Sequence, residues 1–207
     1  MYIPKLFELN DPTRLDAFMQ ANGFACMVNM LAGQLIATHV PLELEYRDGQ
    51  RYLLGHVARA NKHWQAWEGQ TEALVIFTGP HSYISPRWYE PGPSVPTWNY
   101  TAVHVYGKPR IMPDSPQLRD ILRGMVEHYE GDSPHAYHME TTSPDYIDKM
   151  MKGIVAFEMP LDRVEGKFKL SQNRSEADRA HVAEALENMD DGQAHEVADL
   201  MRTIATE

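Results

Sequence analysis

Seven residues, Gly55 to Asn61 (GHVARAN), place a permissive backbone, an imidazole, a guanidinium and an amide side by side. Gly55 allows close approach of the main chain. Arg59 carries a planar fork of donors suited to phosphate oxygens. Asn61 stands where a helix begins, and the free N–H groups of a helix start favour an anion. A second run, Lys169 to Arg174 (KLSQNR), packs one hydroxyl, two amides and two cations into six residues. That set serves a phosphate or the polar edge of a ring. A third stretch, Phe77 to Gly107, is aromatic, proline-rich and nearly free of acids. Rings beside hydrogen-bonding groups suit a flat, partly polar ligand. In a fourth, ATHVP (Ala37 to Pro41), Thr38 and His39 stand at a strand end. Each run also has an ordinary reading: a capped helix with a solvated arginine, a polar turn, packed aromatics, a strand terminus.

Other chemistries find less support. There are ten histidines, but His135-x-x-His138 falls in a loop bounded by Gly, Ser and Pro. His39, His56, His81 and His104 have no metal-ligand spacing. No nucleophile elbow, P-loop or GxGxxG pattern occurs. Cys26, the single cysteine, sits in an apolar run as a small hydrophobe. A net charge of -10, scattered Lys and Arg, and no helix-turn-helix or basic arm argue against direct DNA binding. The start lacks signal-peptide character, and no apolar run approaches the ~20 residues of a membrane helix, so a cytoplasmic location is expected.

To act together these runs need a framework, and the patterning describes one. Asp11-Pro12 starts a helix whose apolar stripe is Leu15, Phe18 and Met19. Strands are predicted at 24–30, 35–40, 42–47 and 51–57, with Asp48-Gly49 as a hairpin turn. A short helix at 61–68 and a strand at 74–78 precede a long loop. A strand at 97–106 follows, with Trp98, Tyr100, Ala102, His104 and Tyr106 on one face and Asn99, Thr101, Val103 and Val105 on the other. A short strand near 110–112 leads to helices at 115–129 and 143–151. Strands at 154–159 and 164–170 and helices at 175–189 and 191–205 complete the chain. Local hairpins with few interrupting helices predict a mainly β, α+β fold: a small antiparallel barrel with peripheral helices. The barrel is assigned to residues 1–174. Residues 175–207 are expected to form a helical segment packed on the barrel or on a partner.

Taken in order, YIPKLF, ATHVPL, GHVARAN, FTGPHSYISPRWY, VPTWNYTAVHVYG and KLSQNR resemble the PaiB family of FMN-binding negative transcriptional regulators. The matching pieces run from Tyr2 to about Arg174. The resemblance implies an antiparallel FMN-binding split β-barrel, related to flavin reductases and pyridoxamine-phosphate oxidases, and a homodimer with FMN at the interface. It implies phosphate contacts from His56, Arg59 and Asn61, with Lys62 beside them, and places Thr38 and His39 along the isoalloxazine edge. Trp98 and Asn99 would supply stacking and an amide. Lys169, Ser171, Gln172 and Asn173 would arrive from the partner subunit. The chain departs from that pattern in three places. GHVARAN is a sparser basic-hydroxyl cluster than the oxidases carry, Phe168 stands where many relatives have tryptophan, and the loop from Arg87 to Val95 is short. Two other functions fit the same residues: an FMN-dependent, flavin reductase-like oxidoreductase using NAD(P)H, and a binding protein for another planar ligand such as heme.

Overall fold

Turn residues set the hairpins. Ala32-Gly33 and Asp48-Gly49 hold φ of +50° and +78°, and of +50° and +76°. Two-residue hairpin turns with positive φ at both centres demand this. The computed structural model describes residues 1–69, 71–113 and 116–204. In chain order the elements are β1 (Glu8–Leu9), α1 (Pro12–Ala21), β2 (Phe24–Leu31), β3 (Gln34–Pro41), β4 (Glu43–Arg47), β5 (Gln50–Ala58), α2 (Gln65–Glu68) and β6 (Ala73–Ile84). They continue with β7 (Thr97–Gly107), β8 (Arg110–Ile111), α3 (Pro116–Glu130), α4 (Pro144–Met151), β9 (Ile154–Pro160), β10 (Arg163–Lys169), α5 (Glu176–Glu187) and α6 (Gly192–Ile204). Ser115 and Ala205, the expected outer ends of two helices, lie outside the described residues.

The chain forms two compact units that interleave along the sequence. The first comprises Met1–Asn22, Ile76–His104 and Val164–Glu207. Its strands lie in the order β1-β10-β7-β6. Asp11 caps α1, its Oδ1 accepting from the N–H of Thr13 at 2.9 Å and of Arg14 at 3.2 Å. In β7, Asn99, Thr101 and Val103 are fully buried, whereas Trp98 is exposed, as the alternation predicts. Helices α5 and α6 pack as a pair through Val182, Ala183, Leu186, Ala194, Val197 and Ala198, all inaccessible to solvent or nearly so.

The second unit comprises Gly23–Val75 and Val105–Arg163. Here β2 and β3 form a hairpin registered from Phe24↔Pro41 to Leu31↔Gln34. A four-stranded sheet runs β4-β5-β9-β8. Its core holds Met27, Leu53, Trp67, Phe157 and Met159, with the rings of Trp67 and Phe157 4.4 Å apart. The fold is α+β with mostly antiparallel sheets, and among the described residues neither sheet closes on itself.

One element extends beyond its predicted end. Gly79-Pro80 reads as a break, yet β6 continues to Ile84. A Cβ at Gly79 would stand 2.5 Å from Thr101 Oγ1 and 2.6 Å from the Phe18 ring. Glycine is therefore where a neighbouring strand and a helix close in, and the strand carries on past it.

Candidate functional site

In the second unit, two sequence-distant motifs meet. β3, which runs on to Pro41 rather than ending at Thr38 and His39, presents Thr38 from within the strand, and the segment after β5 presents Asn61. Asn61 Nδ2 donates to Thr38 Oγ1 at 3.1 Å, and Asn61 Oδ1 accepts from the His63 N–H at 3.0 Å. His63 is fully buried. Its Nδ1 lies 2.8 Å from Thr38 Oγ1 and its Nε2 lies 2.9 Å from Asn29 Oδ1. Neither His63 nor Asn29 carried a signal in the motifs. Asn29 occupies an inward position of β2, beside Ala25 and Met27, and a polar side chain so placed demands partners.

The cations of GHVARAN behave differently from one another. Arg59 is exposed, yet its Nε and Nη2 each donate at 2.9 Å, to the carbonyls of Lys152 and Ile154. Two donors of the fork thus hold the chain where it enters β9, and among the described residues Nη1 makes no such bond. Lys62 is exposed. The expected helix after Asn61 is a 3-10 turn, Lys62–Trp64, leading into the single turn of α2. Its free N–H nearest the cap is already taken by Asn61, so the anion-attracting helix start anticipated from sequence is not formed there. His39 is exposed and stacks on Phe24 with ring centroids 6.0 Å apart. His56 is half-buried in β5, and its Nδ1 is buried without a hydrogen-bond partner among the described residues.

Burial lowers the pKa of both His56 and His63 from the ordinary 6.5. The folded chain resists protons that the unfolded chain accepts, so stability is expected to fall as pH drops below about 6.5. Urea unfolding between about pH 7 and pH 5.5 measures this. In His56→Leu the slope should flatten; an unchanged slope would show that His56 is not held neutral.

The first unit gathers the other motif residues. Lys169 Nζ donates to Thr97 Oγ1 at 2.5 Å and to the Trp98 carbonyl at 2.7 Å. Burial lowers its pKa, with a smaller contribution from Lys167. Asn99 is fully buried, and Asn99 Nδ2 donates to Ser171 Oγ at 2.9 Å and to Met201 Sδ at 3.4 Å. Ser171, also buried, takes φ +63° to turn the chain. Gln172 folds back on its own segment, accepting from Leu170 N at 2.7 Å and donating to the Phe168 carbonyl at 2.5 Å. Asn173 is exposed. Trp98, 53% exposed, has His81 at 6.2 Å and Tyr83 at 6.0 Å between ring centroids. All three rings are open to solvent, so β6 and β7 carry an aromatic platform. Lys169 and the Asn99–Ser171 pair brace the strand beneath it. Among the described residues, no three His, Cys, Asp or Glu side chains come together as metal ligands, and no helix is long and apolar enough to cross a membrane.

Comparison with known proteins gives these clusters a context. A family model described as "Putative FMN-binding domain" matches residues 1–163. The protease synthase and sporulation protein PAI 2 of Bacillus subtilis is 39% identical over 201 residues, covering 97% of this chain and 96% of that one. The flavocytochrome Anf3 from Azotobacter vinelandii shares the fold, with a TM-score of 0.63 at 16% identity, over 86% of this chain and 78% of that one. So does the FAD and heme binding protein from Mycobacterium smegmatis, with a TM-score of 0.59 at 15% identity, over 84% and 78%.

Proposed function

The chain belongs to the FMN-binding domain family, and from that premise we propose that it works as a homodimer whose cofactor site is built on Thr38 and the GHVARAN segment. The observation that carries this reading is the Asn61–Thr38 hydrogen bond at 3.1 Å, which joins two motifs into one side-chain group. Arg59 and Lys62 flank that group in sequence.

The donor set suits FMN. Phosphate needs cations with uncommitted donors, and Arg59 Nη1 and the exposed Lys62 ammonium supply them against an acidic background. The ring edge needs fixed polar atoms, and Thr38 is fixed by Asn61 and His63, while His39, the next residue of β3, turns to the opposite face beside Phe24. His56 Nδ1, buried without a hydrogen-bond partner among the described residues, is a further polar atom in this segment. In the first unit Trp98 offers an aromatic face, and we assign Asn99, Ser171 and Gln172 the task of holding Trp98 and Lys169 in place. Bound FMN supplies one- and two-electron redox chemistry, while the protein sets orientation and access.

The dimer reading rests on the outward face of the β2–β3 hairpin. Phe24, Met30 and Leu35 are 69%, 48% and 75% exposed there, and β3 ends its strand row. An apolar edge of this kind is normally covered. The regulatory role attached to the PaiB family is assigned to flavin-dependent contact with a protein or small molecule, because the charge of -10 disfavours DNA.

The phosphate assignment is tested with FMN and riboflavin, which differ by the phosphate alone. Flavin fluorescence titration should show FMN binding about tenfold or more tightly than riboflavin. Lys62→Ala should narrow the gap, and Arg59→Ala should narrow it further. Equal affinities for the two flavins in the wild type would remove both residues from the phosphate site.

A further inference from the structure

Two groups of single character set the direction of the hydrogen bonds on the His63 side of Thr38. An indole N–H only donates and a backbone carbonyl only accepts. Asn29, 2% exposed, touches one of each. Trp67 Nε1 donates to Asn29 Oδ1 at 3.3 Å, and Asn29 Nδ2 donates to the Glu72 carbonyl at 3.2 Å. The orientation of the Asn29 amide follows. His63 Nε2, 2.9 Å from the same Oδ1, must then carry the hydrogen. In a neutral imidazole this leaves Nδ1 bare, able only to accept. Thr38 Oγ1 lies 2.8 Å from that atom, so the Thr38 hydroxyl donates to His63.

The opposite side of Thr38 is determined the same way. Asn61 Oδ1 accepts the backbone N–H of His63 at 3.0 Å, which turns Asn61 Nδ2 toward Thr38 Oγ1 at 3.1 Å. A threonine hydroxyl has one donor and two acceptor sites. Its donor and one acceptor are spent on this network. What remains on Thr38, a half-buried residue, is a single lone pair.

We propose that His63 is a positioning residue that draws the Thr38 hydroxyl hydrogen inward, so that Thr38 meets a bound molecule as an acceptor only and selects one that brings an N–H to it. The inference rests on the reading of Thr38 as a cofactor contact and adds a chemical filter to it. The pyrimidine edge of a flavin carries one ring N–H, at N3. An iron porphyrin carries none. The network therefore favours flavin over heme at this position. The filter is built from residues of the second unit alone and is present before any ligand arrives.

Two measurements test it, one without cofactor. In cofactor-free protein labelled with nitrogen-15 histidine, His63 should show a protonated Nε2 and an unprotonated Nδ1. The reverse tautomer would overturn the proposal whether or not FMN binds. In the second measurement, FMN is compared with N3-methyl-FMN, which lacks the N–H. Wild type should prefer FMN by about tenfold, the scale of one hydrogen bond left unmade. Thr38→Val should abolish the preference, and Thr38→Ser should restore it. His63→Phe, which frees the hydroxyl to rotate, should reduce the preference to a few-fold. Full discrimination retained in Thr38→Val would overturn the selection. If wild type binds no FMN, the cofactor reading fails and the selection fails with it, while the tautomer still decides what His63 does.

Discussion

A chain carrying Phe24→Glu and Leu35→Glu is expected to sediment as a monomer under conditions where the wild type sediments as a dimer. Both side chains project from one face of the β2–β3 hairpin, at 69% and 75% exposure. Met30, paired with Leu35 across the hairpin, extends the same face. In a symmetric dimer each substitution acts on both copies, so four carboxylates would enter the contact. Like charges brought together with their hydration removed cost several kcal/mol, enough to raise the dissociation constant by orders of magnitude. The monomer should stay folded, because neither side chain is buried in its own chain. A wild-type chain that sediments as a monomer, or a double variant that remains dimeric, would move the interface elsewhere or remove it.

The largest loss of stability is expected from Trp67→Ala. Trp67 is 2% exposed, packs 4.4 Å from the Phe157 ring and 5.7 Å from the His63 ring, and donates to Asn29. Truncating a buried ring of this size typically costs 3–5 kcal/mol, through lost burial and the cavity left behind. Here the change also strips a donor from a buried amide, adding about 1 kcal/mol or more. Urea unfolding should show a midpoint shift of that size at nearly constant slope. Trp67→Phe keeps most of the volume and should lose less, the difference reporting the indole N–H. A Trp67→Ala chain within about 1 kcal/mol of wild type would contradict the packing described for the second unit.

Local chemistry was legible in the amino-acid order wherever the deciding partner was close in sequence. Asp48-Gly49 made its hairpin, Asp11 capped α1, and Ser175 capped α5 through a hydrogen bond from Asp178 N at 3.1 Å. The alternation in β7 separated Asn99, Thr101, Val103 and Val105, all buried, from the exposed Trp98, although Ala102 on the Trp98 face is buried as well. The commitments of polar side chains were not legible, because their partners lie far along the chain. Arg59 reads as a free phosphate fork until the carbonyls of Lys152 and Ile154, 93 and 95 residues away, take two of its donors. Lys169 reads as an available cation until Thr97 and Trp98 hold it from 72 and 71 residues away. His63 illustrates the same limit from the other side. Nothing in Lys62-His63-Trp64 announces a buried ring, and only Asn29 and Thr38, 34 and 25 residues earlier, make it one. A sequence displays which donors exist. Long-range folding decides which of them the protein consumes and which it leaves for a ligand.

Family membership and the site proposed around Thr38 and GHVARAN lead to one claim, that this chain holds FMN. It is tested most directly by mixing the purified protein with FMN, separating free cofactor by gel filtration, and recording the absorption spectrum of the protein peak. The account predicts flavin bands travelling with the protein in near-equimolar amount. Flavin that elutes wholly with the small molecules would contradict it.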